Sequence, residues 1–156
     1  MITIEEFKNK HSNKVRLIGL DLGSKRIGIS ICDEKQSIAT PFKTINKTNT
    51  NDLINQLKVL INENNIKGII IGNPINMDGS LGKSAQSVND IANYITKSID
   101  LPVCLWDERL STVAAFNLSS QLDINVSKKD RPYMQIELNT KKTKNKMEFL
   151  ILRSVM

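Results

Sequence analysis

An α/β fold, in which helices pack on a mixed β-sheet, is what this sequence predicts, and three observations carry the prediction. A nearly continuous apolar run at 15–22 and an alternating one at 27–32 meet at a Gly-Ser-Lys-Arg break, as the arms of a hairpin do. The short runs at 68–72 and 102–106 are apolar without polar alternation, as expected of strands buried on both faces. Stretches before and between those runs place apolar residues at helical spacing. A chain of 156 residues fits one domain of ordinary size. An aromatic share of 4% leaves the core to Ile, Leu and Val.

The elements follow in order. Residues 1–14 form a polar leader, where Thr3 and Glu6 have capping-box spacing; a short, peripheral helix over Ile4 to about Lys10 is expected. From Val15 to Leu22 the chain is almost continuously apolar, Gly23-Ser24-Lys25-Arg26 interrupts it, and Ile27, Ile29 and Ile31 then alternate with Gly28, Ser30 and Cys32. That pattern predicts a β-hairpin. A strand near Ser37 to Ile45 contains Pro41, which assigns it to an edge or a bulge.

Between Asp52 and Asn64, Leu53, Ile54, Leu57, Leu60 and Ile61 recur at helical spacing, which predicts an amphipathic helix. Gly68 to Gly72 reads as a central parallel strand, and a turn-rich stretch, Asn73 to Ser80, follows it. A second such helix over about Lys83 to Lys97 buries Ala85, Val88, Ile91, Ala92 and Ile95, and Pro102 to Trp106 forms a further buried strand. Thr112 to about Leu122 predicts another helix. This sets one domain at 15–126. Beyond Ser127 the pattern is lost, and only Met147 to Met156 has the spacing of a short helix.

Charge separates the same regions. Residues 1–126 hold 14 Lys or Arg against 13 Asp or Glu, while residues 127–156 hold 8 against 3, so most of the formal +6 lies in a basic tail. Such an excess suits a polyanion partner such as nucleic acid, and it equally suits a solvated tail. No apolar run approaches the roughly 18 to 20 residues of a membrane helix, and the charged opening lacks a secretory pattern, so a cytoplasmic protein is expected. Cys32 and Cys104 lie far apart inside apolar runs and read as structural thiols. The single histidine, His11, has no nucleophile or acid motif beside it, which disfavours a histidine-based triad.

Two acids fall where buried strands end: Asp21 ends the first apolar strand and Glu108 follows the strand ending at Trp106. Carboxylates emerging at one edge of a sheet are hard ligands for Mg²⁺ or Mn²⁺, ions that activate water and offset charge on a phosphate. Asp107 points to the opposite side by strand alternation and reads as a hydrogen-bonding support. Lys25, Arg26 and Arg109 are candidate phosphate contacts beside the metal, or solvated charges. Asn73 opens a polar loop near the same edge, in which Asp78-Gly79 is a turn.

Three segments in order, Leu17-Ile18-Gly19-Leu20-Asp21-Leu22-Gly23-Ser24-Lys25-Arg26-Ile27-Gly28-Ile29, Gly72-Asn73-Pro74-Ile75-Asn76-Met77-Asp78-Gly79-Ser80 and Asp107-Glu108-Arg109-Leu110-Ser111-Thr112, resemble the YqgF/RuvX-like family of pre-16S rRNA nucleases and Holliday junction resolvase-like proteins. The resemblance spans about residues 15–126. It implies an RNase H-like fold and a metal-dependent nuclease, with Asp21 and Glu108 as catalytic, metal-coordinating residues. The substrate it implies is the 5′ end of pre-16S rRNA in ribosome biogenesis, with branched DNA as the alternative.

The family's ending, a helix with a third acidic ligand and a pair of alanines, has no match here. Asp130 is the nearest carboxylate to the expected position, but Pro132 follows it and no Ala-Ala accompanies it; Glu137 and Glu148 lack motif support. Two carboxylates hold one Mg²⁺ with waters but are poorly suited to two ions close together. A frameshift or altered reading end is one hypothesis for the Lys- and Asn-rich tail. A family member that binds nucleic acid without cutting it is therefore a second expectation. A two-lobed nucleotide binder, which Asp21-Leu22-Gly23-Ser24 also suggests, needs more chain than one domain supplies.

Overall fold

The hairpin forms as its pattern requires. In the computed structural model, which describes residues 1–10 and 15–109, β1 (Arg16–Leu22) pairs antiparallel with β2 (Arg26–Cys32), placing Asp21 opposite Gly28. Gly23 makes the turn possible through close approach: a Cβ there would lie 2.6 Å from the Arg26 carbonyl oxygen. β3 (Ala39–Asn46) extends the hairpin on its far side as an edge strand, and its register slips at Pro41, which leaves Phe42 without a partner. A missing N–H is tolerated at such a position.

The chain then crosses over. Asn49 caps α2 (Thr50–Glu63), its side-chain oxygen accepting from the Asp52 N–H at 2.8 Å. β4 (Ile66–Asn73) returns parallel to β1, α3 (Lys83–Ser98) crosses again, and β5 (Val103–Asp107) pairs parallel with β4, Asn73 opposite Asp107. The described residues give a five-stranded mixed sheet in the order β3-β2-β1-β4-β5.

Alternation along the strands divides the core between two faces. Ile18, Leu20, Ile69, Ile71 and Val103 meet the apolar sides of α2 and α3. On the other face Leu17, Ile70, Cys104 and Trp106 surround Phe7 of α1 (Ile4–Lys10). Asp21 is in phase with Leu17, so it belongs to this second face, whereas Asp107, in phase with Val103 and Leu105, belongs to the face of the long helices.

One expectation is corrected. The capping box of α1 is present, with the Thr3 N–H donating to Glu6 Oε2 at 2.8 Å and the Glu6 N–H to Thr3 Oγ1 at 3.2 Å, yet the helix is not peripheral. Phe7 is 1% exposed, and the Ile2 N–H donates to the Val103 carbonyl at 3.0 Å along the edge of β5. The reason is Gly68: a Cβ there would come within 2.6 Å of the Phe7 ring, so the bare backbone of β4 forms the slot the ring fills. The expected helix at Thr112 to Leu122, the tail at 127–156 and His11 lie outside the described residues. Among the described residues no helix is long and apolar enough to cross a membrane.

Candidate functional site

β1, β4 and β5 end at one edge of the sheet, and the polar residues of interest collect there. Asp21 is half-buried near the end of β1. Glu108 follows the last residue of β5, where the backbone turns from strand into helical conformation. Both stand at this edge, and the charge of Asp21 acts on Glu108. Glu108 is pushed up to about 7, first by burial and then by the negative charges of Asp21 and Asp107. Burial also raises Asp21 above the usual carboxylate range.

Asp107 sits one residue away in a different environment. Arg109 folds back over it, with the backbone N–H donating to Oδ1 at 3.0 Å, Nε reaching both oxygens at 3.0 and 3.1 Å, and Nη2 donating to Oδ2 at 2.7 Å. These bonds and the guanidinium charge hold Asp107 below its ordinary range. Arg109 Nη1 also donates to the Asn76 carbonyl at 3.4 Å, so this side chain ties the end of β5 to the loop after β4. The expected supporting role of Asp107 is thus what its hydrogen bonds perform.

Lys25 and Arg26 lie exposed on the turn that follows Asp21, and neither forms an ion pair among the described residues. Arg109 differs from them because its charge is already answered by Asp107. Asp78-Gly79 is a turn, with Gly79 at φ +84° and Asp78 accepting from the Ser80 hydroxyl and N–H. Asn73 is 7% exposed and, among the described residues, its side-chain oxygen has no partner; it occupies the strand position opposite Asp107. Both cysteines are buried and free; burial pushes the Cys104 thiol up to about 11 and raises Cys32 as well, which suits packing rather than reactivity.

Asp21 and Glu108 fit a divalent cation by the chemistry of the donor set: two hard carboxylates, each destabilised in its charged form by burial and Glu108 also by its neighbours, gain from a positive ion between them. Among the described residues no group of three or more His, Cys, Asp or Glu could hold a metal ion. The possible replacements Asp130, Glu137 and Glu148 lie outside the described residues.

The family profile described as RuvX: Holliday junction resolvase matches residues 15–136. This chain belongs to the RuvX family. The match spans the three resembling segments and continues through residues 127–136, into the stretch the charge pattern had set apart. A relative from Pelagibacter ubique, named "Putative pre-16S rRNA nuclease", is 80% identical over 129 residues, covering 83% of this chain and 85% of its own. A relative of the same name from Cereibacter sphaeroides is 44% identical over 113 residues, covering 72% of this chain and 71% of its own. Among solved structures, Thermus thermophilus RuvC superimposes with a TM-score of 0.55 over 90% of this chain and 92% of that one. At 8% identity this likeness is one of fold, and it agrees with an RNase H-like mixed sheet flanked by helices.

Lys83 and Ser84 were not singled out by the sequence reading, although they line a cavity that Glu108 also lines.

Proposed function

We propose that this RuvX-family chain is a metal-dependent nuclease that processes the 5′ end of pre-16S rRNA. The observation that carries the reading is that Asp21 and Glu108 fall at the same edge of the sheet, near the end of β1 and just after β5, where burial raises both carboxyls and the charges of Asp21 and Asp107 raise Glu108 further. In this reading Asp21 and Glu108 hold Mg²⁺ or Mn²⁺, which when bound supplies activation of water and neutralisation of charge on the phosphate. Lys25 and Arg26 contact backbone phosphates beside the pair, since both are exposed and unmatched by acids among the described residues. Arg109 contributes chiefly by fixing Asp107 and the loop at Asn76, and only its outward edge is left for substrate.

The test is cleavage of a labelled pre-rRNA leader beside a four-way DNA junction, with Mg²⁺ or Mn²⁺, by wild type and Asp21→Asn. RNA cutting that needs the metal and disappears in the variant supports the reading. Preferential cutting of the junction reassigns the substrate to branched DNA, and binding of either substrate by folded protein without cutting assigns a silent binding protein.

A further inference from the structure

β3 is the outermost strand of the sheet, and its end brings positive charges together beside the turn that follows Asp21. The register pairs Arg26 with Asn46, and one step further Lys47 stands opposite Lys25, its N–H donating to the Lys25 carbonyl at 3.0 Å. Lys43 lies four residues back on the same side of the strand, with the buried Ile45 midway between the two lysines. We propose that this edge, from Lys47 to Phe42, is a track for a single-stranded stretch of the RNA substrate, with Lys43 and Lys47 on its phosphates and the Phe42 ring stacked on a base. The identity of the ligand as RNA rests on the nuclease reading.

The charge balance at this end favours an anion. Lys25, Arg26, Lys43 and Lys47 form no ion pair among the described residues. Against them stand Asp21 and Asp52, the one acid between residues 35 and 62, which is engaged at the cap of α2 by the Thr48 hydroxyl at 3.0 Å and Asn49 Nδ2 at 2.8 Å. The other acids of the region, Asp33 and Glu34, lie at the far end of β2, where the Ser37 and Ile38 N–H groups donate to Asp33 and Arg16 lies 3.7 Å from Glu34. Four cations thus face two acids, and a metal ion held by Asp21 would answer one of those. Lys25 and Lys47 are moreover like charges placed directly across from each other, an arrangement that costs stability until an anion comes between them.

The edge selects against another protein strand. Such a strand would meet Pro41, which has no N–H, a slipped register and Lys43, the features with which sheet edges resist strand addition. A nucleic acid needs no backbone ladder. Phe42, at the slip, supplies what a single strand requires besides charge: its ring is 49% exposed next to Lys43, whereas Phe7 and Trp106 are buried in the core and Tyr94 bonds Asn51 through its hydroxyl. A base stacked on a ring with phosphates on flanking cations is how single strands are held without sequence readout. Bases of a duplex are stacked on one another and present no face to the ring.

Fluorescence anisotropy of a labelled single-stranded pre-rRNA leader bound to the full chain, over a series of KCl concentrations in the Asp21→Asn background, tests the track without requiring cleavage. Lys43→Ala and Lys47→Ala should each lower the slope of log K against log salt by about 0.7. Phe42→Ala should raise Kd about tenfold with the slope unchanged, and Phe42→Trp should restore affinity. Annealing a complementary strand to the leader should abolish the Phe42 effect, and Lys97→Ala, in the last turn of α3, should change neither slope nor Kd. Unchanged slopes in both lysine variants, an equal fall in Lys97→Ala, an unchanged Kd in Phe42→Ala or a Phe42 effect that persists on the duplex overturns the track and leaves the nuclease reading standing. A protein that sediments as a dimer and becomes a monomer on Phe42→Ala assigns the edge to a second copy and likewise overturns the track. Cleavage that survives Asp21→Asn overturns the nuclease reading without touching the slopes. A thermal melt of each variant confirms that the proteins compared are folded.

Discussion

Asp107 and Glu108 are neighbours in sequence with opposite electrostatic fates. Asp107 receives four hydrogen bonds from Arg109 and is held in its charged form, while Glu108 is half-buried beside Asp21 and is pushed up to about 7. The difference shows how one strand end serves two purposes. The residue on the face of the long helices anchors the loop after β4 through Arg109, and its neighbour, freed from that bonding, joins Asp21 in a concentration of negative charge that a cation can relieve. Pairing fixes a carboxylate in place; leaving it unpaired among like charges leaves it free to meet a cation.

The contrast breaks most completely when the unpaired pair is neutralised. Asp21→Asn or Glu108→Gln should each lower cleavage of the pre-rRNA leader by about 10³-fold, equivalent to about 4 kcal/mol of transition-state stabilisation, in single-turnover assays with saturating Mg²⁺. Glu108→Gln should at the same time melt no lower than wild type in the absence of metal, because it removes a repulsive charge. A drop in melting temperature that parallels the lost activity would argue that Glu108 is structural.

The turn that supports Asp21 is the next point of attack. Gly23→Ala sets a methyl 2.6 Å from the Arg26 carbonyl, so the hairpin must shift, at a cost of about 1–3 kcal/mol in urea unfolding. A neutral result would mean that the turn relaxes freely.

Titration sharpens the comparison, because the two carboxyls give opposite signs. Glu108 binds its proton more tightly folded than unfolded, so the metal-free protein should lose stability as pH rises from about 4.5 to about 7, and Glu108→Gln should flatten that window. Asp107 is lowered from 3.8, so its contribution is present above that value and is lost as acid protonates it in the folded state. Melting curves across pH, with and without Mg²⁺, measure both. The smallest expected effect is that of Asp107→Asn, about 0.5–1 kcal/mol in urea unfolding, because the pair with Arg109 is partly exposed to solvent.

Much of this architecture was legible before any coordinates. The hairpin, the helices over 50–63 and 83–98 and the parallel strands between them follow from local periods and breaks, and the observed bounds depart from the expected ones by a few residues. The capping box at Thr3 and Glu6 was equally legible, being a contact between residues three apart. Burial of the leader was not, because the slot for Phe7 is created by a missing side chain at Gly68, far along the chain, and no local period records that vacancy. The cavity at Lys83 escaped for a related reason: its walls come from the loop after β4, the start of α3 and the end of β5, which meet only when the sheet is assembled.

The sequence by itself determined the order of elements, the placing of Asp21 and Glu108 at strand ends and the family to which the chain belongs, since each depends on residues close together or on motifs in fixed order. Tertiary structure alone decided which carboxylate is paired and which is pushed toward neutrality. Burial and charge coupling depend on distances through space, and those distances exist only once β1, β4 and β5 lie side by side.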